Sequence, residues 1–130
     1  MAVRAYADNS LEASVATTFD VLSWEMELAA ARCIMLDAAI GDMMKVIPED
    51  EQNRFVETMH TVDLLSQQLT SLSAFARSMS GNVAEEASAQ VGPALSDITL
   101  SALADRMSAA LGGVAKGIYD HDQAGDLDLF

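Results

Sequence analysis

The chain has 130 residues, the length of one domain with room for a tail. Seven Lys and Arg stand against twenty Asp and Glu, a net charge of -13, and 51% of the residues are hydrophobic. The cations Arg4, Arg32, Lys45, Arg54, Arg77, Arg106 and Lys116 never cluster, which excludes nucleic-acid backbones and anionic membrane surfaces as partners, and the apolar content excludes wholesale disorder.

Residues 1–9 read as an N-terminal arm. From Leu11 to Ile47 there is no Pro and a single Gly, Gly41. Apolar residues recur there at steps of four and three: Val15, Phe19, Leu22, Met26, Ala29, Cys33, Leu36, Ile40, Met43 and Ile47. That repeat predicts one helix of roughly 37 residues, about 55 Å long. Asn9, with Glu12 three residues on, is the expected cap. Pro48 ends the helix, and Pro48-Glu49-Asp50-Glu51 places a proline and three acids where a second begins. The second stripe runs Phe55, Met59, Val62, Leu65, Leu69, Leu72, Ala76 and Met79, with Gly81 as the expected stop. Two long helices joined by a short connection predict an antiparallel hairpin over residues 10–81.

Residues 82–113 form a shorter helical segment. Asn82-Val83-Ala84-Glu85 offers a cap, Gly92-Pro93 an interruption, and Leu95, Ile98, Leu103, Met107 and Leu111 a third helix ending at Gly112-Gly113. Residues 114–130 are expected to be a flexible acidic tail closing on Leu127-Asp128-Leu129-Phe130. Trp24, Leu28, Ala31, Met35 and Ala39 widen the first helix's apolar face beyond a two-stranded seam. The predicted fold is therefore all-α: a long hairpin that dimerises into a four-helix bundle, then a short helix and the tail. The methionines along both stripes read as gap-filling core.

One cysteine, Cys33, excludes an internal disulfide, and with only His60 and His121 a structural zinc site is not expected. No apolar run approaches the ~20 residues of a membrane span. Residues 1–10, MAVRAYADNS, contain no signal-type apolar segment. The expected location is the cytoplasm.

With Val62, Leu65, Leu69 and Leu72 turned inward, His60, Asp63, Gln67, Thr70 and Ala74 fall on the opposite side of the second helix. Asp63 and Gln67, four apart, sit ~6 Å from each other along that ridge. With twelve Asp and five Gln in the chain, roughly 0.5 such pairs arise by chance, so the helical context carries the weight.

Asp63-Leu64-Leu65-Ser66-Gln67 in mid-helix resembles the D-x-x-x-Q motif of the CheZ-type phosphatases, and the chain's size resembles the shorter CheT-type members. The ending Gly125-Asp126-Leu127-Asp128-Leu129-Phe130 is similar to the acidic, phenylalanine-terminated tail of that family. Leu65-Ser66 stands where the family usually has Thr-Gly. The resemblance covers the hairpin and the tail and implies a dimeric four-helix bundle that dephosphorylates a CheY-like response regulator. It implies that Gln67 and Asp63 are catalytic. His60, Thr70 and Ala74 would then contact the partner, and Asp126, Leu127, Asp128, Leu129 and Phe130 would anchor it. No cofactor of the chain's own is expected, and the Mg2+ belongs to the receiver.

The implied chemistry suits the residues. An aspartyl phosphate is already an activated acyl phosphate, so a phosphatase need only hold a water in line with phosphorus. Glutamine offers an amide donor to a phosphate oxygen and a carbonyl acceptor to the water without titrating. Asp63, by resemblance, engages the receiver's lysine and orients the same water. Two other readings use the same surface. One is a non-enzymatic scaffold or adaptor that only binds. The other is a histidine-phosphotransfer-like module on His60, although Thr61-Val62-Asp63-Leu64 lacks the lysine and glycine such modules carry. The tail also resembles a sliding-clamp peptide in which Asp126 replaces the leading glutamine.

Overall fold

The structure, a computed structural model, describes residues 10–112. They are mostly helical, as expected, but they also carry one short ladder. The elements run β1 (Glu12–Ser14), α1 (Val15–Met44), a 3-10 turn (Glu49–Glu51), α2 (Gln52–Asn82), β2 (Ser88–Gln90), α3 (Gly92–Ser96) and α4 (Ser101–Ala110). They divide into two compact units: Leu22–Met79, and the described residues on either side of that stretch.

In the flanking unit, β1 and β2 pair antiparallel with Glu12 opposite Gln90, Ala13 opposite Ala89 and Ser14 opposite Ser88. Val15 N–H donates to Ala87 O (2.9 Å) and Val91 N–H to Leu11 O (2.9 Å), extending the ladder at both ends. This corrects the expectation of a helix from Leu11. The alternation of Ala13, buried, with exposed Glu12 suits a strand, and its backbone finds partners beyond the end of α2 rather than within a helix. The unit's core is Ala13, Val91, Leu95 and Leu111, with Leu11, Val21, Ile98 and Met107 packed against it.

The first helix starts on Ser14, not on the expected Asn9–Glu12 cap, and Asn9 lies outside the described residues. Ser14 Oγ accepts from Thr17 N–H at 3.2 Å, three residues on, and Ser14 O accepts from the Thr18 hydroxyl at 2.9 Å. Ser14→Ala removes that side-chain acceptor. A loss of about 1 kcal/mol, read as a lower urea midpoint with an unchanged slope, is the expected outcome.

The single third helix expected between Leu95 and Leu111 is instead two. Gly92 and Pro93 open α3, the chain is extended at Leu100 (φ -83°, ψ 103°), and α4 comes next. Gly112 stops α4 as expected: its φ of 95° is the left-handed conformation that favours glycine after a helix. Gly81 does not stop α2, which continues to Asn82.

Within Leu22–Met79, α1 and α2 run antiparallel. Ser23 meets Ser73, Glu27 meets Arg77, and the Met59 Cε lies 3.9 Å from where a Cβ on Gly41 would stand. Gln52 holds the turn, its Nε2 donating to Ile47 O (3.3 Å) and to Met44 O (3.4 Å), which also accepts from Ile47 N–H (3.5 Å).

The seam between them is displaced by one residue from the expected stripe at every second position. The buried residues are Ser23, Ala30 and Ile40 on α1 and Val62, Ser73 and Ala76 on α2. Met26, Cys33, Asp37 and Met44, and Phe55, Met59, Ser66 and Leu69, are half-buried between them. Leu22, Leu36, Met43, Leu65 and Leu72, expected in the core, are 41%, 47%, 51%, 46% and 51% exposed. Small side chains occupy the inward places next to them, Ser23 beside Leu22, Ser66 beside Leu65 and Ser73 beside Leu72, and a small seam lets two helix backbones approach.

Candidate functional site

The middle of α2 presents the ridge. Asp63 and Gln67 are both exposed, and the Gln67 Nε2 donates to Asp63 Oδ2 at 3.0 Å. A carboxylate only accepts, so the amide must turn its NH2 toward Asp63 and its carbonyl oxygen away. The outward-facing oxygen is the atom that would accept from a water. The second amide hydrogen remains for an anion. His60, Thr70 and Ala74 are exposed on the same helical face, as their three- and four-residue spacing requires. Thr70's hydroxyl donates back to Ser66 O inside the helix.

This placement survives the correction to the seam. The true inward row, Val62, Ser66, Leu69 and Ser73, is centred roughly 90° from Asp63 and roughly 130° from Gln67 at 100° per residue. Leu65 leaves the core on the other flank of α2, well away from the pair.

Sequence reasoning missed part of the surroundings. Leu64, Gln67, Gln68, Ser71 and Leu72 line an open depression along α2, so Gln67 has neighbours on the side away from Thr70. Leu64 is 55% exposed within it. The available signal was charge: Leu64–Ala76 contains no charged residue, in a chain with twenty acids. An uncharged stretch of helix surface on so acidic a molecule is where an anionic partner approaches with least repulsion.

The remaining expected contacts, Asp126, Leu127, Asp128, Leu129 and Phe130, lie outside the described residues. Among the described residues no group of three or more His, Cys, Asp or Glu is placed to hold a metal ion, and no helix is long and apolar enough to cross a membrane.

Comparison with protein families places residues 12–130 on one model, the domain of unknown function DUF8776. The chain belongs to the DUF8776 family. No curated protein and no solved structure matches it. The DUF8776 match begins at β1, takes in both long helices with Asp63 and Gln67, and extends through the terminal Leu-Asp-Leu-Phe.

Proposed function

We propose that this DUF8776 protein is a phosphatase that hydrolyses the aspartyl phosphate of a CheY-like receiver domain. The observation that carries the reading is the Asp63–Gln67 pair: hydrogen-bonded, exposed, in the middle of a long helix, and turned away from the helical seam. The receiver, with its own Mg2+, supplies the activated acyl phosphate. Gln67 offers its outward carbonyl to a water and its remaining amide hydrogen to a phosphoryl oxygen. Asp63 keeps the amide in that orientation with one oxygen and has the other for the receiver's lysine and the water. No cofactor of this chain enters.

The same reading includes a dimer. By the pairing that sets Ser23 against Ser73 and Glu27 against Arg77, Leu36 stands level with Leu65, Ala29 with Leu72 and Leu22 with Met79. Helical geometry puts these residues in one row along one side of the pair. The row spans fourteen positions on each helix, about 21 Å, and at two helices wide presents roughly 400 Å2 of each copy as the centre of such an interface. Two such faces closed on each other make a four-helix bundle, with Asp63 and Gln67 on the outside.

The test is a receiver labelled on its aspartate. Added protein should release the label as inorganic phosphate, with a rate that saturates in receiver. A scaffold would bind and leave the label in place, and a phosphotransfer module would move it to His60. Deleting Asp126–Phe130 should raise KM at least about ten-fold while kcat changes less than two-fold, because a tethered anchor raises the local concentration of partner without touching the chemistry.

A further inference from the structure

Ser23 and Ser73 are 0% and 1% exposed, and they stand at the centre of a closed set of hydrogen bonds between α1 and α2. Arg77 Nη2 donates to Ser23 Oγ (2.9 Å) and to Glu27 Oε2 (2.7 Å). The two serine hydroxyls are 2.7 Å apart. Since Ser23 Oγ already accepts from the guanidinium, its proton goes to Ser73 Oγ. The Ser73 proton then has Glu27 Oε2 (3.1 Å) and Ser23 O (3.0 Å) as acceptors. The ring runs from Arg77 through both serines to Glu27 and back, with a charged group at each end.

The seam on either side of this ring is nearly repetitive. Its inward positions recur every seven residues, and Ser66, Ser73 and Ser80 are heptad equivalents on α2. Sliding α2 by one heptad would bring Ser66 or Ser80 to Ser23, another small hydroxyl side chain in the same place. A serine pair therefore does not choose the register. The residue one turn later does: four positions beyond Ser73 stands Arg77, while the equivalent places after Ser66 and Ser80 hold Thr70 and Ala84.

We infer that the Glu27–Arg77 pair is the register key of the long helical pair. It singles out one of three equivalent serines and so determines which part of α1 lies beside Asp63 and Gln67. The serines are buried, but the Arg77 and Glu27 side chains are 58% and 43% exposed, so the ion pair adds little stability and its directionality serves registry. The inference rests on the fold alone and holds whether or not the ridge is catalytic.

The experiment is disulfide trapping in the full chain with Cys33→Ser. Ala30→Cys with Ser66→Cys, one heptad along from Ser23 and Ser73, reports the observed register. Asp37→Cys with Ser66→Cys reports a slip one way, and Ala30→Cys with Met59→Cys a slip the other way. With Arg77 present, the first pair should cross-link at least about ten-fold faster than either slipped pair. Arg77→Met, which keeps the apolar stem, should bring the slipped pairs to within about two-fold of it. Moving the key, Thr70→Arg with Arg77→Thr, should make the Ala30→Cys with Met59→Cys pair dominant. Retention of the original cross-link alone in both variants would overturn the inference. So would loss of every cross-link together with helical circular dichroism in Arg77→Met, since that is the result for a contact that supplies stability and not choice.

Discussion

Gln67→Ala should abolish release of phosphate from the receiver and leave binding intact. The alanine keeps the helix and removes both the carbonyl that accepts from water and the amide that donates to phosphate. At saturating receiver, kcat is expected to fall about 100- to 1000-fold, a barrier increase of roughly 3–4 kcal/mol. KM should move less than about three-fold, because the docking surface around Leu64, Gln68 and Ser71 is untouched. Gln67 is exposed and bonds only along its own helix to Asp63, so melting temperature should barely change. That separates a chemical role from a folding one. A variant that hydrolyses at the wild-type rate would remove Gln67 from the mechanism.

The second large effect concerns assembly. Leu65→Asp with Leu72→Asp places two carboxylates in each copy on the apolar row, where Leu65 and Leu72 are 46% and 51% exposed in the single chain. Burying a leucine stabilises by about 1.5–3 kcal/mol, and the double variant loses four of them per dimer. It also adds four acids to two chains that already carry -13 each. Self-association should weaken by more than about 1000-fold, so that sedimentation at micromolar concentration finds one chain where the wild type sediments as two. Since neither leucine faces the seam within the chain, the variant should remain helical. An unchanged sedimentation coefficient for wild type and variant would take the interface away from this face.

The two long helices were legible because a seven-residue repeat sustained over many turns is a pattern that strands and loops do not produce, and Pro48 marks the break between them. The inward side was less legible. Two rows one residue apart share the same repeat, and hydropathy favours Leu22, Leu36, Leu65 and Leu72, whereas close packing of two backbones favours Ser23, Ser66 and Ser73. Hydropathy picked the residues that face outward. The β1–β2 ladder was not legible at all, because Glu12-Ala13-Ser14 and Ser88-Ala89-Gln90 have little strand character of their own and pair only through their backbones. The Asp63–Gln67 ridge was legible because its residues lie far enough from either row to be exposed whichever one packs. Its neighbours Leu64, Gln68 and Ser71 were not, since nothing in hydrophobic spacing marks a depression on one helix.

The most direct measurement of the central claim tracks side-chain amide and methyl signals by NMR as a receiver carrying a beryllofluoride phosphoryl mimic is added. The Gln67 side-chain NH2 should shift or broaden at stoichiometric receiver, along with Leu64, while the Leu65 methyls keep their positions. Movement of the Leu65 methyls with a silent Gln67 amide would contradict the claim.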